Sequence, residues 1–277
     1  MNKRIIVLGV VILAAGAYTT PALALSLVGP PTAGLKKGQL SAGYSYSYSD
    51  QDLDTATIKW WEFENGVLAW NGSEPLKVKN FKTQPHLGTI GYGLAEWLEV
   101  YATLGAADTK AHFEWPEEDS ERGHNFDNDF IWGLGAKATF ARQDKVAWGA
   151  AVQVNWLDTK WSENWADAEG PRSNRVDLKG YDVLVAVGPT VDMNGWRLYG
   201  GPFYYYLDLE YRDRYTWVDG DGDNWVGRCK GDLEADSNFG GFIGTQFDIF
   251  PNCGFTTEFA VTGGGWGAGA GIVLRCR

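Results

Sequence analysis

From Leu40 onward the chain falls into stretches in which larger apolar residues alternate with small or polar ones. A period of two is the spacing of a half-exposed β-strand. Leu40, Ala42, Tyr44 and Tyr46 alternate with Ser41, Gly43, Ser45 and Ser47, and Leu98, Val100, Ala102 and Leu104 with Glu99, Tyr101, Thr103 and Gly105. The same alternation carries Phe130 to Phe140, Val146 to Trp156, Tyr181 to Gly188, and a run from Trp196 to about Tyr211. Three further strands are predicted near Phe239 to Ile249, Phe255 to Thr262 and Trp266 to Cys276. Only the stretch Val78 to Tyr92 resists assignment of its two faces, and Pro85 weakens it as a strand.

The connections sort by length. Tight turns fall at Gly93 to Trp97, Arg142 to Lys145, Asp192 to Gly195 and Pro251 to Gly254, and Asn194-Gly195 is a strong hairpin signal. Long polar connections cover 50–77, 108–128, 158–176 and about 211–236, and the last turn is Gly263-Gly264-Gly265. If the chain starts on the inner side of a membrane, the long connections lie outside and the short ones inside. Closed barrels that span a bilayer sort their loops in this way. A soluble sandwich has no reason to do so. The expected fold is all-β: a transmembrane antiparallel up-and-down barrel of about ten strands, within a range of eight to twelve.

Met1 to Ala24 reads as a secretory leader, with Lys3 and Arg4, an apolar stretch from Ile5 to Ala15, and a small-x-small site at Ala22-Leu23-Ala24. Residues 25–37 then read as a short mobile periplasmic lead-in, and 38–277 as one barrel domain. No later run is long and apolar enough for a membrane helix. The chain has 277 residues with 36 Gly, 14 Trp, 13 Tyr and 13 Phe. Its mean hydropathy is nevertheless negative, as expected where only alternate residues face lipid. The net charge of −11, more negative once Lys3 and Arg4 leave with the leader, argues against nucleic acid as a partner. Trp97, Phe140, Trp148 and Trp196 fall at inner strand ends, and Phe130, Trp132, Trp156, Phe239 and Trp266 at outer ends. Two such levels are expected of interfacial aromatic girdles.

With these features, and above all the hairpin Gly91-Tyr92-Gly93-Leu94-Ala95-Glu96-Trp97-Leu98-Glu99-Val100-Tyr101, the chain resembles the bacterial outer-membrane β-barrel superfamily, porin-like and of small to medium size. The resemblance implies residence in the outer membrane, contact with its lipids and lipopolysaccharide, and insertion by the barrel assembly machinery. The chain departs from the group's terminal aromatic in ending Leu274-Arg275-Cys276-Arg277.

Inward positions should carry Glu99, Lys137, Asp182, Arg197, Asp248, Glu258 and Arg275. Unpaired charge is costly to bury, so these should form a salt-bridged lumen network, with Arg197 and Arg275 among Glu99, Asp248 and Glu258 near the inner end. About ten strands leave an interior close to filled by side chains. The favoured role is therefore structural or surface-interacting, through large acidic outer loops that could meet an extracellular protein. A narrow cation-preferring pore for small solutes is the alternative. An outer-membrane enzyme, omptin-like or lipid-modifying, is a further one: His112 and His124 lie beside carboxylates, but no motif supports catalysis. Asp219, Asp221 and Asp223 alternate with glycines in a way that suits Ca²⁺, although Asn224 and Lys230 break the EF-hand pattern and a solvated acidic turn explains the same residues. Cys253 and Cys276 are expected to be inner-end neighbours, able to form a disulfide, which leaves Cys229 odd.

Overall fold

The computed structural model describes residues 28–115, 120–166 and 170–276, without the side chains of 120, 121 and 127–129. The proposed leader and the acidic run Glu117-Glu118-Asp119 lie outside the described residues. From Leu40 onward the described chain is almost entirely antiparallel β-structure: β1 (Leu40–Gln51), β2 (Ala56–Glu64), β3 (Val67–Ala95), β4 (Leu98–Trp115), β5 (Ser120–Gln143), β6 (Val146–Ala166), β7 (Pro171–Asp192), β8 (Trp196–Val218), β9 (Asn224–Glu234), β10 (Phe239–Phe250), β11 (Cys253–Thr262) and β12 (Gly265–Cys276).

The sheet closes twice. In its inner part β1 pairs with both β12 and β3, which closes a ring of ten strands in the order β1, β12, β11, β10, β8, β7, β6, β5, β4, β3. Further out, β8 leaves β10 and pairs over Asp208–Val218 with β9. There β3 pairs with β2, and β2 pairs with β9 from Lys59↔Lys230 to Glu64↔Trp225. These contacts close a second ring of eight strands, β2 to β9, stacked on the first. The long connections expected from sequence are therefore strand extensions joined by short turns. The first, over 50–77, is the hairpin β2–β3, turning on Asn65 (φ 48°) and Gly66 (φ 83°).

The two rings differ in which face is apolar. Around the ten-stranded ring the outward residues are apolar and exposed, among them Leu104, Leu134, Val152, Val187, Ile243 and Ile272. Aromatics mark the ends of this belt: Trp132 stacks on Trp156 at 4.2 Å on the outer side, and Trp196 stacks on Phe247 at 6.1 Å on the inner side. Above the belt the outward face is charged, with Asp158 bridged by Lys179 at 2.7 Å and Glu210 by Lys230 at 2.6 Å. A lipid-facing band needs about 9–11 residues per strand, and β6 alone has 21. Roughly half of each tall strand stands clear of the membrane.

The unassignable second strand also has a physical explanation. On β3, Leu76 and Val78 point inward, and so do Phe81, Thr83 and Leu87. The parity changes at Asn80, which has φ 49° and sits where the β3–β4 register shifts between Lys79 and Lys82. Its N–H donates to the Asp52 carboxylate at 3.0 Å. This bulge moves the side chains to opposite faces on either side of it. Pro85 is tolerated because the β1–β3 ladder skips from Tyr46↔His86 to Ser49↔Thr83, so no cross-strand partner on β1 faces it.

Candidate functional site

The chain is a closed antiparallel β-barrel with an exposed apolar belt, so its chemistry must lie in its lumen or at an open end. Three levels of the interior differ in kind.

The innermost level is occupied by the chain's own N-terminal segment. Residues 28–33 and 35, expected to be a mobile periplasmic lead-in, are buried inside the ring. Val28 and Gly29 donate their N–H groups to the Glu258 carboxylate at 3.3 and 3.0 Å. Gly34 and Leu35 donate theirs to Glu99 Oε2 at 2.8 and 3.1 Å. Ala33 N–H donates to Thr139 Oγ1 at 3.0 Å. Bonds to a carboxylate are each worth about 1.5–3 kcal/mol, and Pro30 and Pro31 limit the entropy lost on ordering the segment. At the inner rim Gly38 N–H donates to the Gly93 carbonyl at 2.7 Å and ties the segment to the β3–β4 turn.

This plug changes the expected charge network. Arg197 and Arg275 do pair, but both with Asp248, each at 3.1 Å. Glu99 and Glu258 serve the plug instead of the arginines. Lys137 faces Glu99 across β4–β5 and lies 5.4 Å from the centre of the Tyr101 ring. Asp182 stands apart, at the end of a relay in which Tyr101 Oη donates to Gln153 (2.9 Å), Gln153 Nε2 to Asn155 (3.0 Å) and Asn155 Nδ2 to Asp182 (2.9 Å). Between plug and wall a cavity of about 140 Å³ remains, bordered by Glu99, Tyr101, Lys137, Arg197 and Arg275. An uncharged run, Val28 to Leu35, directly before an inward-polar barrel was the signal available in the sequence.

The middle level is an apolar block. Ile58, Phe81, Phe113, Phe126, Leu178 and Leu209 are essentially fully buried and belong to one contiguous cluster with Tyr205 and Tyr211. It crosses the base of the eight-stranded ring, where a polar lumen was expected.

The outermost level is a cup of about 330 Å³ at the top of the eight-stranded ring. Its wall includes Trp115, Trp165, Tyr215 and Trp217, with Asn174 and Asp213 deeper in. Tyr215, Trp217 and Trp225 form a stacked column with centroid spacings of 5.5 and 5.4 Å, and Tyr215 Oη donates to Glu62 at 2.7 Å. Burial pushes the Asp213 carboxyl up to about 6, against the opposing pull of the Tyr211 hydroxyl and Arg122. Below Trp115, His124 lies 4.0 Å from Trp161 and 5.4 Å from Phe113 between ring centroids. Burial, aided by Arg122 and His112, lowers its pKa to about 4. His112 pairs in register with Gly123 and Ala111 with His124. Successive residues of a strand face opposite sides, so the two histidines do not converge.

The other expected sites are arranged differently. Asp219 is turned on its own loop: its carboxylate accepts from the N–H groups of Asp221 (3.1 Å) and Asp223 (2.9 Å) and from Trp225 Nε1 (2.9 Å). Asp223 accepts from Asn65 Nδ2 at 2.7 Å. Among the described residues no three acidic, His or Cys side chains gather as a metal-ligand group. The expected disulfide is not formed, and Cys229, Cys253 and Cys276 are free thiols. Cys253 pairs with Leu274 and Cys276 with Leu40, so the two are offset by two residues on adjacent strands rather than facing each other.

No protein-family model and no curated protein matches the sequence. Solved structures that match include the outer membrane protease OmpT from Escherichia coli, at 12% identity over 86% of this chain and 94% of that one, with a TM-score of 0.43. The outer membrane protein OprG from Pseudomonas aeruginosa matches at 11% identity over 88% and 98%, TM-score 0.41. The toluene transporter TbuX from Ralstonia pickettii matches at 11% identity over 94% and 95%, TM-score 0.40.

Proposed function

We propose that this barrel is non-conducting and works at its outer face, as a surface-interaction protein. The apolar block carries the reading: Phe81, Phe113, Phe126, Leu178, Leu209 and Tyr211 fill the base of the outer ring with rings and branched chains that are at most 1% exposed. A hydrated ion crossing that level would shed most of its water against a wall that is largely apolar, with few polar groups beyond the Tyr205 and Tyr211 hydroxyls to replace it, at a cost of several kcal/mol. The plug held by Glu99 and Glu258 adds a second obstruction beneath it. What stays open to the medium is the cup and the charged exterior of the outer ring.

Single-channel recording of the folded mature protein in a planar bilayer tests the reading. A silent bilayer is expected, with insertion verified independently by heat-modifiable gel mobility. Steady cation-selective openings would replace this reading with the narrow pore.

A further inference from the structure

We propose that the cup at the outer end binds carbohydrate, one or two sugar rings of a free saccharide or of a glycan terminus. The proposal rests on the outward-working reading only in having the ligand arrive from the medium.

Hydrogen-bond accounting narrows the ligand first. Asn174 and Asp213 are 5% and 7% exposed, and Asn174 Oδ1 and Asp213 Oδ1 have no hydrogen-bond partner. Both border the cup. A buried acceptor without a donor costs about 1–3 kcal/mol, and native proteins keep few such groups. An apolar ligand would cover these oxygens and leave them unpaired, so it is disfavoured. A ligand carrying several O–H or N–H donors would satisfy them.

Charge narrows it further. Glu62, Glu74 and Asp213 border the cup together with Arg122 and Arg172, so both signs are present in nearly equal number. Glu62 already receives the Tyr215 hydroxyl, and Arg122 lies 5.5 Å from the centre of the Trp115 ring. A cation would meet two guanidiniums and an anion three carboxylates. A neutral polyhydroxyl ligand meets no net repulsion and can use donors and acceptors of both kinds.

Shape and apolar character complete the match. The exposed Trp165 indole and the column containing Tyr215 and Trp217 offer weakly polar surface at the cup, while Trp115 is buried beneath Arg122. Such surface suits the C–H faces of a pyranose while its hydroxyls reach the polar groups. The cavity of about 330 Å³ stands at the lower end of the range for small-molecule sites, roughly 300–1,000 Å³. Six of the strands around it continue into the ten-stranded ring, so the wall is pre-formed.

The test is saturation-transfer difference NMR on the mature protein in a sugar-free zwitterionic detergent, with galactose, N-acetylglucosamine and maltose as probes and free lysine as the zwitterionic control. Transfer to the ring protons of at least one sugar is expected. Asn174→Ala and Trp165→Ala should weaken that sugar at least tenfold while keeping folded gel mobility. Trp165 is 43% exposed at a strand end, so its removal spares the core. No transfer to any of the sugars, transfer unchanged in both variants, or stronger transfer to lysine than to every sugar would overturn the proposal. The readout is independent of conductance: a silent barrel that binds no sugar overturns this inference alone, whereas a conducting barrel that binds sugar overturns the non-conducting reading alone.

Discussion

Replacing Asp213 by Asn should change the pH dependence of stability in a direction opposite to replacing His124 by Phe, although both residues lie in the same outer ring. His124 sits among Phe113, Phe126 and Trp161, and its pKa falls to about 4 from 6.5. At 1.36 kcal/mol per pH unit the gap corresponds to about 3 kcal/mol. The unfolded chain takes up this proton first, so the folded state loses that amount as pH falls from 6.5 towards 4. Asp213 behaves oppositely. Its pKa rises from 3.8 to about 6, so the folded state holds its proton more tightly and gains about 3 kcal/mol as pH falls from 6 towards 4.

Between pH 6 and 4 the two slopes should largely cancel in the parent, which leaves the outer ring's acid sensitivity hidden. The variants expose it. Asp213→Asn should be more stable than the parent by about 3 kcal/mol at pH 7, and the difference should vanish near pH 4. His124→Phe, measured against the parent, should gain about 3 kcal/mol as pH falls from 6.5 to 4. The assay is equilibrium urea unfolding in lipid vesicles from pH 4 to 8, followed by tryptophan fluorescence. Taking each variant against the parent removes the contribution of every other titrating group. A flat Asp213→Asn difference curve, or two curves of the same sign, would refute the assigned environments.

Two further outcomes follow from the strands and the plug. Deleting Asn80 removes the one extra residue of β3 and leaves strict alternation with Leu76, Val78, Phe81 and Thr83 all still inward, so the heat-modifiable folded band should persist at normal yield; its loss would show that the bulge and its contact with Asp52 are themselves needed for folding. Glu99→Ala combined with Glu258→Ala removes four charge-assisted bonds and should release the N-terminal segment, making a cysteine placed at Thr32 reactive to maleimide from the inner side. Conductance should stay absent in that variant, since the apolar block is untouched.

The lower ring was largely legible in the sequence because most of its strands put small or polar residues inward and apolar residues outward, although Leu87, Leu184, Phe203 and Phe242 depart from this rule by facing inward. The outer ring obeys the reverse rule. Along β7 the inward positions run Val176 and Leu178 and then Asp182, while the outward ones run Asp177 and Lys179 and then Val183 and Val185. The parity is continuous, but the chemistry inverts at the membrane surface, and dense charge above that point resembles a loop. Of the expected lumen network, the pairing of Arg197 and Arg275 with Asp248 was readable from inward parity. The attachment of Glu99 and Glu258 to backbone N–H groups was not, since main-chain donors leave no mark in a sequence. The cup was equally hidden: Trp165, Asn174 and Asp213 are neighbours along β6, β7 and β8, but the wall that carries Glu62 and Cys229 is closed by the β2–β9 pairing, a contact between segments about 170 residues apart, as in Trp60↔Cys229.

The double closure of the sheet bears on how the cup can move. Strands β3 to β8 are staves common to both rings, so a slip between any two of them would have to satisfy two closure conditions at once. A single barrel can breathe by opening one seam. Here the seam at β1–β12 and the seam at β2–β9 lie at different heights and involve different strands, and relaxing one leaves the other closed. The outer cup is thereby held to a fixed outline. It should select its ligand by rejecting shapes that do not fit rather than by remoulding around those that do.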